Sequence, residues 1–389
     1  MIKKFLIVHL YEHIEFSLNE LLQILSMSSE PYKLIDLCNS NSPFSVVETT
    51  IKAIDFVCER CILIKSVSLF LDKNENFDNL NEPAILKTSN FTEIFELNNK
   101  KTNLNTSLET ARISIKSYKF SLKKEQKNSF IEKLVCFLNP RKIDLDKPNL
   151  ILELHLTKNI FYLSIKYKDS KRKHFLKYNI PNRLFIGHTT MDNELSIVTA
   201  NLCHINSKSL VYDPCCGSCG ILFSATLFKA TVFGSDISYC EMVGTNTLKN
   251  NVRTLLKPYN VFSNFKQFNL QQYFLGVFIA DIYSVRLNNF DCVVADIPYG
   301  IRANAKNSYK NTKSNVNRDL KTENSETFGF IDQIKEISLQ LQSGKRTALW
   351  VPEWVEKYTE ECFNRFKLIT RCKQLLNSYS RILFVYEKV

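Results

Sequence analysis

The sequence predicts an α/β protein whose second half is a doubly wound, mainly parallel sheet closed by an antiparallel hairpin, preceded by a mixed α+β region. Three observations carry this. From about residue 180 onward, short apolar strand patterns alternate with longer helical ones. The strand Ser209 to Tyr212 runs into a Gly-containing turn and then a helix, as at the cofactor end of open sheets. The last two apolar runs, Phe366 to Leu375 and Arg381 to Tyr386, have no helix between them, which suits a hairpin. At 389 residues the chain exceeds what one core usually serves, so two domains, or one with a substantial appendage, are expected.

The first part alternates strand and helix: a strand at Lys4 to Leu10, a helix at Ser17 to Leu25, a strand at Tyr32 to Leu37, a helix at Val46 to Cys58, and a strand at Cys61 to Leu71. Ser17 and Glu20 have capping-box spacing. Polar residues Asp72 to Glu82 mark a loop, followed by a short helix at Phe91 to Leu97 and a strand at Arg112 to Tyr118. A helix at Lys123 to Leu138 ends at Asn139-Pro140, and strands follow at Leu150 to Leu156 and Ile160 to Tyr167.

In the second half, helix Asp192 to His204 leads to the strand ending at Tyr212, a helix at Ile221 to Lys229, and a strand at Thr231 to Gly234. A helix at Tyr239 to Leu255 precedes strands near Asn264 to Phe268, Gly276 to Ala280 and Phe290 to Ala295. Ala303 to Glu326, polar and without apolar periodicity, reads as a loop. Helix Thr327 to Leu341, strand Arg346 to Val351 and helix Pro352 to Phe363 precede the hairpin.

Composition narrows the function class. The net charge of +12 is concentrated: residues 101–180 hold 18 Lys and Arg against 7 Asp and Glu, a field that recruits a polyanion such as nucleic acid. No stretch reaches the roughly 18 apolar residues of a membrane span, and the Lys3 to Val8 run is cut short by His9 and Glu12 without a cleavage site. A cytoplasmic (or nuclear) home is the default expectation. The 12 cysteines lack the spacing of a disulfide scaffold. Cys58 and Cys61 form a CxxC without a second pair, and read as half-buried thiols at a helix end; no metal is expected, there or at Cys215, Cys216 and Cys219.

The chemistry lies in three strand ends. Leu210 to Gly220 is a strand and tight turn carrying Asp213, Gly217 and Gly220; about two dozen residues on, the next strand ends in Asp236, and Asp281 follows the one after. An acid at Asp236 can accept both ribose hydroxyls of an adenosine, and Asp281 can receive the adenine amino group. GxGxxG is absent and the turn carries no Arg or Lys for a pyrophosphate, which disfavours NAD and favours S-adenosylmethionine, with Asp213 as the acid for its ammonium.

Behind the buried-strand pattern Cys292 to Ala295 comes Asp296-Ile297-Pro298-Tyr299, which resembles the acid-proline-aromatic tetrad of amine methyltransferases. The lone pair of an exocyclic amine is delocalised into the ring. Two acceptors, the Asp296 carboxylate and the Ile297 carbonyl, can take its hydrogens and align the nitrogen with a methyl donor, while Pro298 fixes the turn and Tyr299 stacks on the base.

Phe185-Ile186-Gly187-His188-Thr189-Thr190-Met191-Asp192-Asn193-Glu194-Leu195, the turn Asp213 to Gly220, Asp236 and Asp296 to Arg302 together resemble the eukaryotic and archaeal tRNA guanosine-10 N2-methyltransferases, in order and spacing. His13 to Leu21 and the terminal residues 378–389 are similar too. The resemblance implies an N-terminal ferredoxin-like domain over residues 1–80, a THUMP-like RNA-binding domain over 81–178 and a class I (Rossmann-like) methyltransferase domain over 179–389. It implies a cofactor set of Thr189, Thr190, Met191, Asp213, Gly217, Gly220, Asp236, Ile237 and Asp281, with Asp296, Ile297, Pro298 and Tyr299 catalytic. It also implies tRNA as substrate, N2-methylguanosine as product, and a small zinc-containing activator subunit covering an apolar face of the catalytic domain. Two residues depart from the pattern: Cys219 stands at the turn's usual second glycine and Ile297 at the tetrad's first proline. The residues alone leave open another amine, such as adenine N6 or a glutamine side chain, and a non-catalytic RNA-binding protein.

Overall fold

The computed structural model describes residues 2–75, 110–138, 140, 142–187, 190–243, 259–298, 320–377 and 379–389. The chain divides into two compact units, Met1–Arg172 and Lys173–Val389. The short helix expected at Phe91 to Leu97 lies outside the described residues.

In the first unit, runs of β-branched and apolar residues build one eight-stranded sheet: β1 (Ile2–His9), β2 (Tyr32–Asp36), β3 (Phe44–Thr50), β4 (Ile64–Asn74), β5 (Thr110–Ser117), β6 (Lys142–Ile143), β7 (Leu150–Leu156) and β8 (Phe161–Asp169). Their order is β2-β3-β1-β4-β8-β7-β5-β6. Helices α1 (Ile14–Met27) and α2 (Ile51–Arg60) bury Leu21, Ile24, Ala53, Ile54 and Val57 with Phe5, Ile7 and Val47 of the sheet. A second cluster packs Leu134, from α3 (Lys124–Leu138), with Leu152, Leu154 and Leu163.

Three expectations are corrected here. The helix expected over Val46 to Cys58 begins only at Ile51; the β-branched run Val46, Val47, Thr49, Thr50 belongs to β3, paired with β1 from Ile2↔Thr50 to Val8↔Phe44. Ser17 and Glu20 do not cap α1, which starts three residues earlier, at Ile14. The Ser17 hydroxyl instead donates to the Leu63 carbonyl at 2.8 Å, and the Glu20 carboxylate accepts the Ile62 and Leu63 backbone N–H groups at 3.1 and 3.0 Å. Cys58 and Cys61 are fully buried rather than half-buried, and burial pushes the Cys58 thiol up to about 12.

After a short helix at Arg172–Leu176 and a 3-10 turn at Ile180–Asn182, the second unit continues with α4 (Asn193–Leu202), whose N-terminal N–H groups at Glu194 and Leu195 are capped by the Asp192 carboxylate. Then come β9 (Leu210–Asp213), α5 (Gly220–Thr226), β10 (Thr231–Asp236), α6 (Tyr239–Val243), α7 (Val261–Gln267), β11 (Phe274–Ile279), β12 (Cys292–Asp296), α8 (Leu320–Ser338), β13 (Arg346–Pro352), α9 (Glu356–Cys362), β14 (Phe366–Leu375) and β15 (Ser380–Lys388). The sheet order is β11-β10-β9-β12-β13-β15-β14, parallel from β11 to β13 and antiparallel through β15 and β14.

The doubly wound sheet with its terminal hairpin is therefore present. The strand expected near Asn264 to Phe268 is instead helix α7, begun by a capping box between Asn260 and Ser263 and burying Val261 and Phe265 on one face. The polar loop expected over Ala303 to Glu326 gives way to helix by Leu320; its earlier part, like the distal half of the helix expected to Leu255, lies outside the described residues.

Glu20 is the interaction in the first unit with the clearest expected cost. Its buried carboxylate satisfies two backbone donors at the turn into β4, so Glu20→Ala leaves both without it. Urea unfolding of the full chain should show the first unit destabilised by about 2–4 kcal/mol; an unchanged midpoint would contradict this reading.

Candidate active site

Strand order places the site. The chain runs from β9 outward to β10 and β11, then returns to the other side of β9 with β12, and at such a reversal the carboxyl ends of the strands part into a crevice. Register sets the level of each acid. Tyr212 pairs with Phe233 and with Val293, so Asp236 and Asp296 both stand three residues beyond Tyr212's partners. Asp236 in turn pairs with Ile279, two residues before Asp281.

These strand ends line one cavity of about 440 Å³, together with Thr190, Met191, Gly217, Gly220, Ile237, Ile297 and Pro298. Every described member of the expected set is thus at one site. Thr189 and Tyr299 lie outside the described residues.

The turn after β9 is built by close approach. A Cβ on Gly220 would sit 3.2 Å from the Met191 backbone nitrogen, and one on Gly234 would sit 2.7 Å from the Cys216 Cβ. Gly217, at φ +47°, has open space where a side chain would project, and its N–H donates to the Asp236 carboxylate at 2.8 Å. The other Asp236 oxygen accepts the Ser238 N–H at 2.8 Å. Asp213 accepts the Cys215 N–H at 2.9 Å. The Thr190 hydroxyl donates to the Gly187 carbonyl and lies 2.7 Å from the Ser218 hydroxyl oxygen, tying the segment before α4 to the turn.

Cys219 takes the left-handed conformation (φ 61°, ψ 33°) that glycine adopts most easily. Its side chain is buried, and it is not among the residues lining the cavity. The departure from glycine therefore shows as backbone strain. Ile297 is only 2% exposed and packs into the core cluster with Tyr212 and Val351 while standing at the cavity wall. Its bulk is absorbed by the core.

The electrostatics are lopsided. The described lining residues carry six carboxylates (Asp192, Asp213, Asp236, Glu241, Asp281 and Asp296) and one cationic side chain, Arg381. Burial, aided by the charges of Asp236 and Asp296, pushes the Asp213 carboxyl well above the usual carboxylate range. Burial also raises Asp236, with Glu241 adding to the effect. A dinucleotide's pyrophosphate would meet repulsion here. A ligand with an ammonium, a sulfonium and ribose hydroxyls finds acceptors for each, so the donor set fits S-adenosylmethionine.

The expected set left out several lining residues next to its motifs, Ser218, Ser238 and Glu241 among them, and others far from any motif: Phe330 of α8, and Leu376, Tyr379 and Arg381 at the β14–β15 hairpin. Arg381 donates to the Asp296 carboxylate at 3.1 Å, although 85 residues separate them. No local pattern signals that contact; only the antiparallel register of the hairpin against β13 produces it.

Fold and site together define a class I, S-adenosylmethionine-dependent methyltransferase. The UPF0020 family, described as RMKL-like, methyltransferase domain, matches residues 181–331. Over all of this chain and 89% of its own length, tRNA (guanine(10)-N(2))-methyltransferase TRMT11 of Bos taurus is 26% identical. The tRNA (guanine(10)-N(2))-methyltransferase of Schizosaccharomyces pombe is 32% identical over 46% of this chain and 39% of its own. Among solved structures, TrmN from Thermus thermophilus is 14% identical, with a TM-score of 0.49, over 99% of this chain and 100% of that one. The likeness to the tRNA (guanine(10)-N(2))-methyltransferases thus runs along the whole of this chain at 26% identity.

With the ammonium of S-adenosylmethionine placed beside the raised Asp213 carboxyl, cofactor binding would be a proton-linked event. In the folded, free protein it holds a proton over a pH range where the unfolded chain, at about 3.9, does not, so the free protein loses stability as pH rises through that window. A cation beside Asp213 favours the ionised form. Calorimetry in buffers of different ionisation enthalpy should show net proton release on S-adenosylmethionine binding and affinity that rises with pH above the usual carboxylate range. Proton uptake, or no exchange, would contradict it.

Proposed function

We propose that this chain transfers a methyl group from S-adenosylmethionine to the exocyclic N2 of guanosine 10 in tRNA. One observation carries the reading: Asp296, Ile297 and Pro298 open into the same cavity as Asp213, Asp236 and Asp281. An amine held at the tetrad is therefore held within reach of a cofactor bound at the acids. The whole-length likeness to tRNA (guanine(10)-N(2))-methyltransferases, and the concentration of Lys and Arg over residues 101–180, support guanine in tRNA over other amines.

Each residue has a distinct task. Asp236 would hold the ribose hydroxyls, Asp281 the adenine amine and Asp213 the ammonium, with Gly217 and Gly220 giving the backbone room and Thr190, Met191 and Ile237 forming the wall. When bound, the cofactor supplies an electrophilic methyl group on a positively charged sulfur. The Asp296 carboxylate and the Ile297 carbonyl would accept the two N2 hydrogens, fix the lone pair toward that methyl group and favour pyramidal nitrogen. Pro298 stiffens the turn that aims them. Residues 1–80 and 81–178 are read as the ferredoxin-like and THUMP-like parts that would bind tRNA.

A small zinc-containing activator is the proposed protein partner. The edge strand β11 exposes Leu275, Phe278 and Ile279, and Phe262 and Tyr259 before it are exposed too, an apolar sheet edge suited to being covered.

Incubation with unmodified tRNA, labelled cofactor and activator should yield N2-methylguanosine at position 10, read by nucleoside mass spectrometry. Asp296→Ala should lower the single-turnover rate by about 100-fold or more. Product at adenine N6, or an undiminished rate in Asp296→Ala, would contradict the assignment. Leu275→Glu combined with Ile279→Glu should weaken co-purification with the activator without abolishing S-adenosylmethionine binding; undisturbed co-purification would place the partner elsewhere.

A further inference from the structure

We propose that Arg381 is a positioning residue that holds Asp296 ionised and aimed as the acceptor for the amine hydrogens. The inference rests on the proposed role of Asp296 and goes beyond it. The guanidinium is clamped on several sides: Nη1 donates to Asp296 Oδ2 at 3.1 Å, Nη2 lies 3.1 Å from the Met191 sulfur, and Nε donates to Gln374 Oε1 at 2.7 Å. Its plane lies over the Trp350 ring, 4.5 Å from the centroid, and the indole N–H of Trp350 donates to the Thr199 hydroxyl at 3.1 Å. The Arg381 side chain is 11% exposed and Asp296 25%, so the pair meets in a partly dry place where one oxygen can be held while the carboxylate stays reachable from the cavity.

Charge gives the contact its purpose. Asp296 faces Asp213 and the Cys215 thiol from β9 and its turn, with Asp236 and Asp281 across the cavity, Tyr379 on the hairpin and the unionisable Trp350 on β13. Crowded carboxylates drive one another toward protonation. A protonated Asp296 would present a donor to an amine that needs an acceptor. Arg381, the one cationic side chain among the described lining residues, pairs with this acid. Asp213 is left to the incoming cation and Asp296 is kept ready before it arrives, so environment assigns two like groups different states.

Single-turnover methylation of tRNA by Arg381→Met and Arg381→Lys across pH tests this. Arg381→Met should lower the rate roughly 10- to 100-fold at neutral pH, with the acid limb of the rate profile moved up by about one to two pH units, while S-adenosylmethionine binds with little change. Arg381→Lys, which keeps the charge but not the fork, should restore part of the rate and most of the profile. A slow Arg381→Met whose acid limb stays in place, or one that retains the full rate, would overturn the proposal while leaving Asp296 its role if Asp296→Ala is inactive. A fully active Asp296→Ala would remove both. Should Arg381→Met fail to fold, Arg381→Lys decides alone: an acid limb moved as far as removal of the charge requires would contradict a charge-based role.

Discussion

The parallel register of β9 with β10 and β12 is the constraint on which the site depends. Side chains alternate across a strand, so Asp236 and Asp296 share one end of the sheet and one level, two residues beyond that of Asp213, only if their strands are paired without slippage. Pairing Tyr212 with both Phe233 and Val293 does this, bringing Asp236 and Asp296 out on either side of Asp213. A one-residue slip of β12 would turn Asp296 to the other face and bury an unpaired charge. The core opposes that slip, because Val293 and Ala295 are wholly buried and pack with Tyr212, Leu349 and Val351.

Gathering like charges at one sheet end is unfavourable unless each finds a partner or a proton. The structure uses several remedies. Backbone N–H groups of the turn after β9 serve Asp213 and Asp236, burial shifts Asp213 toward its neutral form, and Arg381 pairs with Asp296. The result is a cavity that favours a cation over an anion before any ligand enters. It also leaves Asp213 and Asp296 in different settings, one buried with a backbone N–H and one paired with a guanidinium.

Most of this site was legible because it follows a local rule. Each acid stands at or just beyond the end of an apolar strand, two of them, Asp213 and Asp296, with proline within the next two residues, and that grammar survives without knowledge of the fold. Non-local features were not legible. Ser17 and Glu20 have capping-box spacing, yet their side chains bond the backbone of Leu63 and its neighbour, 42 to 46 residues away. Asn264 to Phe268 is apolar enough for a strand, but the Asn260–Ser263 box upstream commits it to helix. Val46 to Thr50 shows the reverse error, a β-branched run absorbed into the helix that follows. Arg381 looked like one residue of a hairpin; the pairing of β15 with β13 makes it part of the site.

The account's central claim is that register-matched strand ends hold the methyl donor by its cationic end and its ribose, with Asp296 beside the sulfur. The most direct measurement is an experimental structure of the full chain with sinefungin, a cofactor analogue with an amine in place of the methyl group. The predicted result has the ribose hydroxyls on the Asp236 carboxylate and the amine facing Asp296 at the mouth shared with Pro298 and Arg381. A ligand seated with its ribose away from Asp236, or its amine pointing away from Asp296, would contradict it.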